Sequence, residues 1–214
     1  MPYTTRVKSS AFRFVVIADQ VDSRAGSDRV PEALAVLSGV EHVLPYERTA
    51  GDEVQGLVGT GSGVVRAVTA LTRLEGWRIG VGAGLVDEPL PDSTRAARGE
   101  AYLAARTAID CARRSPVALS LAAGAVGDAA YRDLVEDAET ALWLLRSTLA
   151  RRSPEGWELM DLLDSGLSNA QAADRLGVSP SAVSQRLRRA GRIEAERAAR
   201  LAGRLLDRLS EVRA

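Results

Sequence analysis

Glu47-Arg48-Thr49-Ala50-Gly51-Asp52-Glu53-Val54-Gln55-Gly56 is a short polar connection set between two apolar stretches. His42-Val43-Leu44-Pro45-Tyr46 leads in, and Val54-Gln55-Gly56-Leu57-Val58 leads out. Strand-forming runs on both sides of a glycine-containing turn predict a β-hairpin over 42–58. Asp52 and Glu53 stand side by side at its tip. An isolated Gly-Asp-Glu is more often a solvated turn than a site. Adjacent carboxylates repel, however, and a hard divalent cation relieves that repulsion.

A second acid lends weight to the site. Phe12-Arg13-Phe14-Val15-Val16-Ile17-Ala18 is almost wholly apolar, short and rich in β-formers, and Asp19 follows it. This pattern predicts a buried strand ending in a carboxylate. In open α/β sheets, ligands sit at the carboxyl ends of strands. Carboxylates from two neighbouring strands can hold Mg²⁺ and leave coordination positions for phosphate.

These residues resemble a known family. Ile17-Ala18-Asp19-Gln20-Val21-Asp22-Ser23 resembles the first metal motif of class III nucleotidyl cyclases, and Thr49-Ala50-Gly51-Asp52 resembles the second. Gly51-Asp52-Glu53 is also similar to the hairpin of GGDEF diguanylate cyclases. Trp77-Arg78-Ile79-Gly80-Val81-Gly82-Ala83-Gly84 resembles a later cyclase strand, and Tyr102-Leu103-Ala104-Ala105-Arg106 the helix carrying a catalytic Asn and Arg. The combination is most similar to the smaller SatD family, over roughly residues 10–115.

The resemblance implies an α+β fold with a cyclase-like sheet of ferredoxin-like, or palm, type and helices. It implies a Mg²⁺ or Mn²⁺ site on Asp19 and Asp52, with Gln20, Glu53 and Arg106 on a nucleotide. Arg106 matches the catalytic Arg, but Tyr102 stands where the family has Asn. Asp22 is a supplementary ligand or, in the preferred reading, a turn cap, and Arg95 and Arg98 meet phosphates or, in the preferred reading, belong to an ordinary helix start.

The remaining elements follow from periodicity. Pro31 opens a helix that ends near Gly39. Gly59-Thr60-Gly61-Ser62-Gly63 is similar to a phosphate loop but lacks the Walker lysine and spacing, and it reads as a flexible entry to a helix over 64–74. Strand 77–81 is expected to end at Gly82-Ala83-Gly84, whose missing side chains allow a close neighbour. A long helix over 94–114, a strand over 117–122 and a helix over 131–151 complete this part. Residues 1–10 are polar and expected to fray.

Residues 154–190 carry a second pattern. Ser168-Asn169-Ala170-Gln171 is a capping box opening a helix over 169–176. Gly177-Val178-Ser179 is a three-residue turn, and Ser179 with Pro180 opens the next helix. Ala172, Ala173, Leu176, Val178, Val183 and Leu187 fall at inward positions. The stretch resembles the helix-turn-helix of bacterial sigma factors and transcriptional regulators. Ser181, Ser184, Gln185, Arg188 and Arg189 are left facing outward for base edges and phosphates, with Arg186 and Arg192 as phosphate contacts. The expected organisation is a cyclase-like domain over 10–125, a connecting helix over 126–152, and an all-α helix-turn-helix domain over 153–214. A last helix over 193–212 either closes the trihelical core or pairs with a second subunit.

Charge supports that division. Formal net charge over the 214 residues is zero. Residues 1–150 hold 16 Lys/Arg and 19 Asp/Glu, a net of −3, whereas residues 151–214 hold 12 and 9, a net of +3. An asymmetry of this sign suggests a nucleic-acid-facing tail. One cysteine, Cys111, excludes an internal disulfide and fits a reducing cytoplasm. With one histidine, His42, a His-based catalytic triad or a multi-His zinc site is excluded by count. No apolar run reaches the roughly 18 residues that span a bilayer.

Two functions compete. The first is a DNA-binding transcriptional regulator, expected to be a homodimer on double-stranded DNA, whose cyclase-like domain senses a nucleotide. The second is a metal-dependent nucleotidyl cyclase or transferase with an attached DNA-binding module.

Overall fold

The first strand is buried on both faces from Phe14 to Gln20, and this sets the architecture. The computed structural model describes residues 9–23, 26–124 and 127–213; most of the segment expected to fray, and the expected domain boundary at 125–126, lie outside them. The elements run β1 (Ser10–Gln20), α1 (Val30–Leu37), β2 (Leu44–Arg48), β3 (Glu53–Val58), α2 (Gly61–Arg73), β4 (Trp77–Asp87), α3 (Glu100–Ala112) and β5 (Leu119–Ala123). Helices α4 (Ala129–Leu149), α5 (Pro154–Asp164), α6 (Asn169–Leu176), α7 (Pro180–Arg189) and α8 (Arg192–Arg213) follow. The fold is α+β, a five-stranded sheet with helices followed by a helical carboxyl-terminal region.

The sheet order is β2-β3-β1-β4-β5. The first four strands are antiparallel, with β1 at the centre between β3 and β4. With α1 and α2 they make the β-α-β-β-α-β arrangement of ferredoxin-like folds. Strand β5 adds to the β4 edge in parallel after α3 crosses over.

Successive β1 side chains point to opposite faces. Phe14, Val16 and Ala18 join Val58, Ile79 and Val81 in a core covered by α1, α2, α4 and α8. Val15 and Ile17 join Leu57 against Ala101, Ala105 and Ile109 of α3 on the other face. Glycines in β4 let α3 lie almost on the sheet backbone. A Cβ at Gly82 would stand 2.2 Å from the Ala101 oxygen and 2.2 Å from the Ala105 nitrogen, and one at Gly80 2.5 Å from the Ile109 nitrogen. The close neighbour expected at these glycines is therefore α3.

Four expectations need correction. Strand β4 does not stop at the glycines but continues to Asp87, paired with β1 throughout. Helix α3 begins at Glu100, because Gly99 (φ 139°) bridges to Val86 and diverts the chain before it; Arg95 and Arg98 are thus not on a helix. The glycine run at 59–63 is packed rather than loose. Thr60 caps α2, and a Cβ at Gly61 would stand 2.3 Å from the Gly203 oxygen of α8. The helix expected to connect two domains is a core helix: Leu134, Ala138, Ala141 and Leu142 of α4 are buried with the sheet.

Side chains of α4 also cover the β5 edge. Trp143 Nε1 donates to the Leu119 oxygen at 2.9 Å, and Glu139 Oε1 accepts from Leu121 N at 2.8 Å. Arg146 donates to the oxygens of Ala118 and Trp77, both at 2.5 Å. Burial lowers the pKa of this guanidinium to about 10.

Helix α8 packs back onto the sheet domain. Ala202, Leu206 and Leu209 enter its main core, and Asp207 Oδ1 accepts from Gly61 N at 2.7 Å. On α8, the large apolar side chains of Ile193 and Leu201 are exposed. Small residues take their place, with Ala195, Ala202 and Gly203 buried so that helices approach closely. Cys111 is exposed on α3.

Candidate functional site

Two groups of the expected residues are brought together at separate places. The first lies at the end of the sheet under α3. Asp19 stands opposite Glu53 on β3 and opposite Arg78 on β4, so all three side chains share one face. This face is apolar under the body of α3 and becomes charged beyond it. Arg106 Nη1 donates to Glu53 Oε2 at 2.5 Å, and Thr49 Oγ1 donates to Glu53 Oε1. Arg78 Nη1 donates to Asp19 Oδ2 at 3.2 Å, and Arg113 Nη2 lies 4.0 Å from the same oxygen.

Asp52 sits in the hairpin turn and accepts a hydrogen bond from the Ser23 hydroxyl. Its carbonyl accepts from Gln20 N at 3.1 Å, which ties the turn to the end of β1. Asp19, Gln20, Asp22, Ser23, Asp52, Arg78 and Arg113 line an open cleft of about 430 Å³. The Asp19 carboxyl is raised above its ordinary pKa, first by burial and then by the negative charge of Asp52; Arg78 and Arg113 pull the other way.

This donor set fits a hard cation of the Mg²⁺ class, which binds through one or two carboxylates with phosphate and water completing the shell. Asp19 and Asp52 would be its carboxylates, and Arg78 and Arg113, which here lie against Asp19, would be the groups to meet phosphate oxygens.

Other expected contacts are spent locally. Gln20 is buried, and both ends of its amide are engaged: Nε2 donates to the Ser27 oxygen at 2.7 Å and Oε1 accepts from Arg29 N at 3.0 Å. It pins the loop after β1 instead of presenting an amide to a ligand. Glu53 is buried and held by Arg106 and Thr49, so it is neither a solvent-facing strand residue nor an open carboxylate. The Tyr102 hydroxyl is turned to Thr94 Oγ1 at 3.2 Å. Arg78 and Arg113 were not singled out from the sequence. The signals existed: Arg78 alternates with Gly80 and Gly82, and Arg113 follows Arg106 by two helical turns.

The second group is on α7. Leu159, Met160 and Leu163 of α5, Ala172 and Ala173 of α6, and Val183 of α7 make a separate small core. The local chemistry is as the sequence predicts. Ser168 and Gln171 form the reciprocal capping box. Gly177 closes α6 at φ 63°, a left-handed turn that glycine adopts freely. Ser179 accepts from Ala182 N at 3.2 Å and caps α7, with Pro180 at its first position.

Ser181, Ser184, Gln185, Arg188 and Arg189 are exposed on α7. The Ser184 hydroxyl donates to the Pro180 oxygen at 3.1 Å, which leaves its lone pairs free to accept. Arg186 is half-buried and turned toward the start of α5. Arg192 pairs with Glu196 at 2.8 Å. Residues 153–213 contain only helices, and α8 follows α7 after a turn at Gly191.

A family model described as Winged helix-turn-helix DNA-binding matches residues 158–191, which span most of α5 and all of α6 and α7. The module is therefore a helix-turn-helix DNA-binding element, built here with a long helix after α7. No curated protein matches the chain. Among solved structures, the chain is similar to a bacterial light-regulated adenylyl cyclase at 15% identity and TM-score 0.43, over 55% of this chain and 44% of that one. It spans less than half the length of that protein. It is also similar to a regulator of polyketide synthase expression from Bifidobacterium adolescentis at 13% identity and TM-score 0.29, over 96% of this chain and 82% of that one. No helix among the described residues is long and apolar enough to cross a membrane.

Proposed function

We propose that the chain is a transcriptional regulator that binds double-stranded DNA through α7 and takes a nucleotide, with Mg²⁺ or Mn²⁺, at the cyclase-like end of its sheet. The observation that carries the first half is the exposed row Ser181, Ser184, Gln185, Arg188 and Arg189 on α7, the last helix of the matched DNA-binding segment. Arginine pairs with guanine edges and phosphates, and Gln with adenine edges, in a major groove. The nucleotide half is supported by the cleft at Asp19 and Asp52. Its carboxylates suit the cation, and Arg78 and Arg113 suit the phosphates.

The two halves are joined mechanically. Helix α8 leaves the DNA-binding module and buries Leu206 and Leu209 in the sheet core. A ligand that shifts the sheet domain therefore moves the recognition helix with it. In this reading the working form is a homodimer, which would set two recognition helices about one DNA turn apart.

The test is a gel shift on the duplex that the parent protein selects from a random pool. Arg188→Ala with Arg189→Ala abolishes retention, while thermal unfolding is unchanged because both side chains are exposed. Equal retention of parent and double variant removes α7 from the interface and with it this reading.

A further inference from the structure

The charged surface of the module extends past α7 toward the start of α5. Arg151, Ser153, Glu155, Arg186 and Arg189 line a concave site of about 500 Å³ between the α4–α5 linker and the last turn of α7. Three arginines face one glutamate there. Arg151 and Arg189 are exposed and Arg186 is half-buried.

The linker that carries Arg151 is fixed in place. The next residue, Arg152, turns inward: its Nε donates to the Ala190 oxygen at 3.0 Å, and its guanidinium stacks over Trp157 at 4.4 Å. The Ala190 carbonyl is the terminal acceptor of α7, so the linker is tied to the recognition helix itself. With Arg152 held inward, Arg151 projects outward beside Arg186 and Arg189. The first turn of α5 opens at the same place, capped by Ser153. The glutamate of the cluster, Glu155, sits in that first turn, where the Ser153 side chain and then its own backbone N–H hold its pKa down. With three guanidiniums and this one carboxylate, the site keeps a formal net charge of +2.

We infer that Arg151, Arg186 and the last turn of α7 at Arg189 form a phosphate-binding site for the DNA backbone, contributed jointly by the linker and the recognition helix. This inference rests on the DNA-binding reading and adds to it a residue outside the matched 158–191 segment. A backbone phosphate is the occupant that the chemistry selects. The site is open, cationic and continuous with the exposed arginines of α7, and phosphate contacts of this kind set the register of a recognition helix without reading sequence. Because Arg151 follows α4 by two residues, the site also fixes the sheet domain against the DNA backbone.

The experiment uses the full chain, a random-sequence duplex and the selected duplex, titrated over a range of salt. Each phosphate contact contributes a slope of about −0.9 to log K against log salt. Arg151→Ala is expected to weaken binding to both duplexes by the same factor and to reduce the slope by about one. Arg151→Lys keeps the charge and restores the slope, a result that a purely structural role for Arg151 would not give. If the parent binds and Arg151→Ala keeps the full slope and affinity, the phosphate site is refuted while the DNA-binding reading stands. A parent that binds neither duplex refutes both.

Discussion

Arg73 and Asp161 face each other with a two-pronged pair. Nη1 meets Oδ1 and Nη2 meets Oδ2, each at 2.7 Å. Arg73 ends α2 in the sheet domain and Asp161 lies on α5 of the DNA-binding module, so the pair crosses between them. The guanidinium also lies 5.2 Å over the Trp157 ring.

Both charges are about half exposed, at 45% and 54% of the side chain. Exposed pairs typically contribute about 0–1 kcal/mol, and the two-pronged geometry puts this one toward the top of that range. Arg73→Ala is therefore expected to lower the melting temperature only slightly. Its effect is local, because the pair and the stack hold α5 against α2. Amide exchange on α5 should accelerate while exchange in β1 and β4 stays the same. Uniform acceleration across the chain would show that the pair supports global stability instead of the junction.

Gly82→Ala tests the close seat of α3. The added methyl group meets backbone atoms of Ala101 and Ala105 at 2.2 Å, and neither can turn aside as a side chain would. Overpacking of a core typically costs 1–3 kcal/mol, and a backbone clash lies at or above the top of that range. Thermal unfolding should show a marked loss of stability, with Thr107→Ala on the exposed face of the same helix as the control. An unchanged melting temperature would mean that α3 does not lie where its contacts with Gly80 and Gly82 put it.

These glycines also show what the sequence can and cannot disclose. The missing side chains at Gly82 and Gly84 signal a close approach, but not by which element. The hairpin at 42–58 was legible because turn chemistry and strand periodicity act within about ten residues. The same holds for the capping box at Ser168 and the left-handed Gly177. The start of α3 was not legible, because a long-range bridge from Gly99 to Val86 overrides the local helical pattern. The seat of α8 was hidden for another reason. Periodicity gives an apolar stripe but not its partner, and the tightest contact is made by Gly61 and Gly203, which carry no hydropathy signal. In the cleft, the acids announced themselves through motif and strand end, whereas Arg78 and Arg113 became visible only once β4 was paired with β1 and α3 was laid on the sheet.

The raised pKa of Asp19 gives a pH dependence with a definite sign. Its folded carboxyl holds a proton more tightly than the unfolded one, chiefly through burial and then through Asp52. Stability from this group is complete below the ordinary Asp value of about 3.9 and is lost as pH rises through the higher folded value. Asp19→Asn removes the ionisation and is expected to raise the melting temperature at neutral pH relative to the parent. The gap should close as pH falls toward about 4. A variant less stable than the parent at neutral pH would show that the ion pairing with Arg78 and Arg113 outweighs the burial cost.

Asp52 carries the last prediction, because its carboxylate is the more open member of the acidic pair. It lies in the turn, its carboxylate is held by the Ser23 hydroxyl, and none of the hydrogen bonds of the sheet depends on its side chain. Asp52→Ala should therefore fold as the parent does. If a nucleoside triphosphate binds at the cleft with a divalent cation between Asp19 and Asp52, the variant loses the binding heat seen by calorimetry in Mg²⁺ or Mn²⁺. Arg113→Ala weakens binding of the triphosphate and leaves the cation requirement intact, since a guanidinium meets phosphate and not metal. The two substitutions thus separate the two roles. Equal heats for parent and Asp52→Ala would take the cation away from the carboxylates, and the cleft would then be an arginine site for phosphate alone.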